Sequence, residues 1–198
     1  MTVYLLDGDL DRAKRINLLR KWHITGGVLI IGFETFKILC MKRHQLKPKL
    51  LQLEPHRLRA RVQQEVDPAL VEQAESMAFA AQQPPTEALI SLSLEVSDEI
   101  CGYLQRPGPE MMIVDEVHTL KDTKQDLPSA LRGVRTKRRV GLTGTPFQNN
   151  LSEYFAMLDF VRPGCLGERH SFLQHYVSPI EAGQHSDSTR EDVNRMRR

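Results

Sequence analysis

Two apolar runs in this 198-residue chain end in residues that can do chemistry. Residues 111–115 (MMIVD) lead into the pair Asp115-Glu116, with His118 just beyond. Residues 140–143 (VGLT) lead into Thr143-Gly144-Thr145. As neighbouring strands of one parallel sheet, the two runs would bring these residues together beyond their carboxyl ends, where open α/β sheets bind ligands. A carboxylate pair there suits nucleotide hydrolysis. Asp115 can hold Mg²⁺ through water, since Mg²⁺ prefers oxygen ligands and keeps part of its hydration shell. Glu116 can orient and deprotonate the attacking water, because phosphoryl transfer needs positioning and charge neutralisation more than covalent chemistry. His118 can sense a γ-phosphate and hydrogen-bond to the next strand end. Thr143 and Thr145 offer short hydroxyls there, and Gly144 lets backbone approach closely. These residues would relay nucleotide state.

Each feature alone has a plainer reading. An Asp-Glu pair is a common strand-to-loop transition, and a histidine after a strand is usually a hydrogen-bonded loop residue. Thr-Gly-Thr-Pro is a turn, and Asn149-Asn150 is a helix cap. Their occurrence together, in this order, is far more specific.

The elements that must position them read as alternating strands and helices. Residues 3–6 are β-prone and closed by Asp7-Gly8. Residues 10–22 keep helical apolar spacing, with Asp9 or Asp11 as a cap and Thr25-Gly26-Gly27 as the stop. Residues 28–33 (VLIIGF) read as an uninterrupted strand covered on both faces, and 34–39 as a helix. This order predicts a parallel α/β layout with crossover connections. Residues 123–134 predict a helix that Pro128 limits. Residues 151–160 predict an amphipathic helix with Leu151, Phe155, Leu158 and Phe160 inward.

The middle of the chain is less regular. Residues 41–61 carry seven Lys/Arg against one Glu, and 62–100 carry eight Asp/Glu with no Lys or Arg. The blocks read as solvated helix faces that partly neutralise each other; contact of the basic block with phosphates is the other reading. Residues 86–104 read as a helix, although Ser91-Leu92-Ser93-Leu94 alternates like a strand. The stretch is expected to be an insertion or long connection, partly helical or disordered. The resulting division is 1–40 (strand-helix-strand), 41–104 (insertion or linker), 105–177 (the core with the chemistry) and 178–198 (a loosely held polar tail).

A composition of 40% hydrophobic and 26% charged residues is ordinary for a soluble globular protein. Cys40, Cys101 and Cys165 lack metal-ligand spacing and fit a reducing compartment. No run approaches the roughly 18–20 apolar residues of a membrane span, so no membrane partner is expected.

The block MMIVDEVHTLKD resembles motif II, the Walker B or DEAH-type box, of Swi/Snf-family DNA translocases. LTGTPFQNNLSEYFAMLDFVRPGCLG resembles that family's motif III region almost residue for residue. GGVLIIGFETFKIL is similar to its motif Ib strand. The wording GGVLIIGFE, RPGPE and FVRP is similar to the subgroup containing the alpha-thalassaemia X-linked and androgen-receptor-interacting helicase-like proteins. The resemblance implies an α/β fold, a parallel sheet with flanking helices forming part of a RecA-like helicase lobe. It implies ATP and Mg²⁺ as cofactors, Asp115 at the metal, Glu116 activating water, and His118, Thr143, Gly144 and Thr145 coupling ATP state to DNA movement. Gly32, Phe33 and Glu34 fall where the family's Ib loop approaches DNA. Double-stranded DNA or chromatin, transcription-regulator or nuclear-receptor partners and a nuclear location follow from the same resemblance.

Three departures stand out. Val117 replaces the small residue of the acidic box with a stiffer, larger one. Gly141 interrupts the motif III strand, where apolar residues are usual. No Gly-x4-Gly-Lys-Ser/Thr phosphate loop occurs in the chain. The chain therefore reads as a fragment of an ATP-dependent DNA translocase or chromatin remodeller, inactive alone. The alternative is a truncated, non-catalytic DNA- or protein-interaction module.

Overall fold

The computed structural model describes residues 1–41, 43–121, 126–145, 151–184 and 188–197. Residues 123–125 of one expected helix and the expected Asn149-Asn150 cap lie outside the described residues. The fold is mixed α/β, with two pairs of short parallel strands and flanking helices among the described residues, as in part of a RecA-like lobe. The chain divides into two units, Met1–Pro109 with Gly133–Arg135, and Glu110–Arg132 with Thr136–Arg198.

The first unit opens with β1 (Val3–Leu6), α1 (Arg12–Thr25), β2 (Val28–Ile31) and α2 (Phe33–Leu39). Asp11 caps α1 by accepting from Lys14 N at 2.8 Å, satisfying one of the orphan amides of the first turn. Gly26, at φ 67°, ends the helix, its N–H reaching Trp22 O at 2.8 Å. Strands β1 and β2 pair in parallel, Val3 opposite Val28 and Leu6 opposite Ile31. The expectation of a strand covered on both faces is corrected. Tyr4 and Leu6 are buried, whereas Val3, Leu5, Val28 and Ile30 remain 57%, 58%, 38% and 51% exposed. The strand also stops two residues early, because Gly32 is the N-cap of α2 and Phe33 enters its first turn. An apolar run does not say by itself whether one or both faces are covered.

The middle stretch forms α3 (Arg43–Leu51), α4 (Pro55–Glu65), α5 (Pro68–Ala80) and α6 (Pro85–Gln105). Prolines open α4, α5 and α6, where their missing N–H costs nothing and their fixed φ suits a helix start. Leu46, Leu50, Leu58, Val62, Val71 and Leu89 pack into a buried cluster, with Ile90 and Leu94 of α6 beside them. The Ser-Leu alternation belongs to α6, whose inward face includes the buried Ser93 and Ser97. The charge blocks do meet, through Arg59 with Glu75 at 2.8 Å and Arg61 with Glu65 at 3.0 Å. Glu65 departs from a solvated face. It is buried, bonded to Ser93 Oγ at 2.9 Å and paired with both Arg61 and Arg12.

The second unit contains β3 (Met112–Val114), a 3-10 turn (Val117–Lys121), α7 (Asp126–Arg132), β4 (Arg139–Gly141) and α8 (Leu151–Val161). Strands β3 and β4 are parallel, Met112 opposite Arg139 and Val114 opposite Gly141. The second strand thus lies earlier than expected, ending before Leu142. Arg139 tethers β4 to α8: its Nη1 donates to Phe160 O at 3.0 Å and its guanidinium sits 5.2 Å from the Phe160 ring centroid. Burial, with Arg132 as a secondary cause, lowers the pKa of Arg139. In α8, Phe155 and Phe160 are buried as expected, together with Ala156 and Met157, while Leu151 and Leu158 are only half-buried.

After α9 (Arg169–Phe172) and a π-helical turn (Leu173–Val177) come α10 (Ser178–Gln184) and α11 (Arg190–Met196). The tail expected to be loosely held contains two short helices among its described residues. Thr189 and Asp192 form a capping box on α11. At Gly183 a Cβ would lie only 2.8 Å from Met196 Cβ, so the two helices approach closely there. Neither helix buries a side chain, which is why its sequence reads as a polar tail. No described helix is long and apolar enough to cross a membrane.

Candidate functional site

The parallel register of β3 and β4 aligns their carboxyl ends, so Asp115 follows Val114 just as Leu142 follows Gly141. Leu142 ties the two exits together. Its N–H donates to Val114 O at 2.8 Å, and its carbonyl accepts from Val117 N at 2.9 Å. The acidic turn between Val114 and Val117 is therefore stapled at both ends to one residue of the neighbouring strand exit.

Within that turn, Glu116 N donates to Asp115 Oδ1 at 2.9 Å. Glu116 adopts φ 48°, a left-handed conformation that glutamate rarely takes. Such conformations cost on the order of 1–3 kcal/mol and gather at functional sites. The turn closes with Thr119 N donating to Glu116 O at 2.9 Å. Both carboxylates are exposed at the sheet end, while Val117 behind them is buried.

His118 Nδ1 lies 3.0 Å from Thr143 Oγ1 and 3.2 Å from Glu116 Oε2. Thr143 Oγ1 also accepts from Thr145 N at 3.2 Å. Glu116, His118, Thr143 and Thr145 thus form one connected chain, with Asp115 joined through the Glu116 amide. Gly144 lies between the two threonines, but a Cβ on it would meet nothing within 4 Å among the described residues. No close approach inside the described chain demands glycine at that position.

Gly32, Phe33 and Glu34 lie in the other unit, at the start of α2. Gly32 is the N-cap, Phe33 is half-buried, and Glu34 is exposed and paired with Lys37 at 2.6 Å.

A Mg²⁺ ion bound through one or two carboxylates takes its other ligands from water and substrate phosphates. Asp115 fits that requirement: it is exposed, and only Oδ1 is used by the backbone. No group of three or more His, Cys, Asp or Glu that could hold a metal occurs among the described residues.

Two structural residues of the site were not legible beforehand. Leu142 acts through its backbone, which only the strand register reveals. Gly141 matters through its closeness to Val117, which lies 24 residues earlier in the chain and is brought near it only by the strand register.

The SNF2-related domain family matches residues 2–198. Protein CHROMATIN REMODELING 20 of Arabidopsis thaliana is 34% identical over 99% of this chain and 10% of its own length. Human Helicase ARIP4 is 35% identical over 98% of the chain and 12% of its length, and human Transcriptional regulator ATRX 30% identical over 93% and 6%. The chain thus spans only 6–12% of the length of these relatives. With a family match over nearly every residue, and the acidic turn and Thr-Gly-Thr segment on adjacent strand ends, the chain belongs to the SNF2-related domain family.

Proposed function

We propose that this chain supplies the water-activating and coupling part of an ATP-dependent DNA translocase that works on double-stranded DNA or chromatin in the nucleus. The observation that carries this reading is the chain of contacts from Glu116 through His118 to Thr143. Asp115 would hold the Mg²⁺ that accompanies ATP, and that ion would neutralise charge on the phosphates. Glu116, in its left-handed backbone conformation, presents a carboxylate to orient and deprotonate water. His118 and Thr143 link that carboxylate to the neighbouring strand end, so a change at one is felt at the other. Gly32, Phe33 and Glu34 are the proposed DNA-facing residues of the other unit. Partners among transcription regulators, nuclear receptors included, are proposed from the family resemblance.

No Gly-x4-Gly-Lys-Ser/Thr loop occurs in the sequence. Backbone amides and a lysine to cradle the phosphates would then come from outside these residues. In the protein that carries this chain, Glu116→Gln should lower DNA-stimulated ATP hydrolysis more than about 100-fold, in line with the loss of a positioned general base, while nucleotide binding persists. Hydrolysis that survives the substitution would sink the reading.

The same missing motif favours a second reading, a non-catalytic interaction module. Its test is Mg-ATP binding by the 198 residues alone. Micromolar affinity counts against the module.

A further inference from the structure

Val117 and Gly141 meet directly behind the acidic turn. An ideal Cβ on Gly141 would lie 3.0 and 3.2 Å from Val117 Cγ1 and Cγ2, and 3.2 Å from Val161 Cγ2 of α8. These distances are shorter than ordinary van der Waals contact, and Val117 is buried. Val117, projecting from the turn after β3, therefore fills with two methyls most of the space that a side chain on β4 would need, and Val161 of α8 borders the rest. Close-packed interiors transmit such a mismatch rather than absorb it.

The neighbours of these two residues are the site itself. Glu116 and His118 flank Val117, and Leu142 and Thr143 follow Gly141. Val117 N and Leu142 O are bonded at 2.9 Å, so any widening between positions 117 and 141 acts on that bond first. The bond from His118 to Thr143 is one residue further along each chain.

We propose that Val117 and Gly141 are a size-matched pair of positioning residues that sets the spacing between the Glu116–His118 turn and Thr143. The pair works by shape alone. Enlarging position 141 forces the turn away from the strand end; shrinking position 117 lets it settle inward. Opposite changes made together restore the spacing. The proposal rests on the hydrolysis reading above, and it assigns that site two residues that touch neither nucleotide nor metal.

The test uses the whole protein that carries this chain, with Gly141→Ala, Gly141→Val, Val117→Ala and the double variant Val117→Ala/Gly141→Ala. DNA-stimulated ATP hydrolysis is measured over a range of ATP concentrations, alongside melting midpoints. Gly141→Ala should lower kcat about fivefold, and Gly141→Val more, with KM for ATP changed less than about twofold. The double variant should recover to within about twofold of wild type. A merely structural pair would reduce the folded fraction and leave kcat per folded molecule unchanged. The proposal is overturned if both Gly141 variants keep wild-type kcat, or if the double variant is no better than Gly141→Ala. Should Gly141→Val fail to fold, Gly141→Ala and its rescue decide the matter. A wild type without DNA-stimulated hydrolysis removes the hydrolysis reading itself, whereas an active wild type without rescue removes only the pair.

Discussion

His118 Nδ1 is 3.0 Å from Thr143 Oγ1, and 3.2 Å from the Glu116 carboxylate. Nδ1 therefore lies within polar reach of both groups, hydrogen-bonded to the Thr143 hydroxyl and close to the Glu116 carboxylate. The imidazole thus touches the Glu116 carboxylate and the next strand end together. Replacing Thr143 with Val keeps the shape and removes the hydroxyl. In the protein that carries this chain, Thr143→Val and His118→Ala should each lower DNA-stimulated turnover about tenfold, or roughly 1.4 kcal/mol of barrier. The double variant should lose little more than either single one, because residues sharing a bond are not additive. Strictly multiplicative losses would show that the two act separately.

The isolated chain should associate. On the β1–β2 pair, Val3, Leu5, Val28 and Ile30 share one uncovered face, and on the β3–β4 pair Ile113 and Val140 are exposed opposite each other. Contiguous apolar patches on a monomer mark interaction or aggregation sites. Concentration-dependent light scattering and binding of an apolar dye are expected, and Leu5→Lys with Ile30→Glu should reduce both. A monodisperse, dye-negative chain at high concentration would contradict this.

Much of this arrangement was legible because it depends on short-range pattern. The order β1, α1, β2, α2 follows from apolar period and from turn residues at fixed places, Asp11 and Gly26 among them. The meeting of His118 with Thr143 follows from two strand ends and one parallel register. What sequence could not supply was coverage. The run Val28–Ile31 looks the same whether one face is packed or two. The helical stretch from α3 to α6 was obscured for a different reason. In α6 the inward positions Ser93 and Ser97 are polar and small, so an apolar count breaks the helical period there and leaves an apparent alternation. Glu65 was hidden in the same way, because a residue inside an acidic block is ordinarily solvated.

Glu65 gives a sharper stability prediction. Its carboxylate is buried against Ser93 Oγ and two guanidinium groups, Arg12 and Arg61, and burial is the main cause lowering the pKa of Arg12. Removing one partner of a buried ion pair leaves uncompensated charge and costs about 3–5 kcal/mol. Glu65→Ala should destabilise by that order in chemical denaturation. Glu65→Gln, which keeps the Ser93 bond but not the charge, should cost less than Glu65→Ala. Equal stability of Glu65→Ala and wild type would mean that water reaches the pair.

Gly27 should tolerate no side chain. Its φ is 114°, and a Cβ there would run into the Thr2 carbonyl that accepts from Val28 N at 2.9 Å. That bond is the first between β1 and β2. Gly27→Ala combines a strained backbone with a clash against main chain, where neither neighbour can rotate away. A loss of about 2–4 kcal/mol is expected, beyond the roughly 1–3 kcal/mol of backbone strain alone. Gly8→Ala, at a position where a Cβ meets nothing within 4 Å, is the matched control and should be near neutral.

The pairing of Arg20 with Glu99 predicts an acid-side pH dependence. Arg20 reaches both carboxylate oxygens, at 3.0 and 2.9 Å, and Tyr103 Oη lies 2.6 Å from Glu99 Oε1. The hydrogen bonds from Arg20, with those from Tyr103 behind them, hold the Glu99 pKa below its ordinary 4.5. A depressed folded pKa means that the folded state releases its proton more readily than the unfolded one. The stabilisation is therefore complete above the unfolded value and disappears as pH falls through the folded one. Both side chains are about a third exposed, so solvent screening limits the effect to about 1 kcal/mol or less. The melting-midpoint difference between wild type and Glu99→Gln should be constant at neutral pH and shrink below about pH 4.5. A difference that grew on acidification would reverse the sign and exclude Arg20 as the stabilising partner.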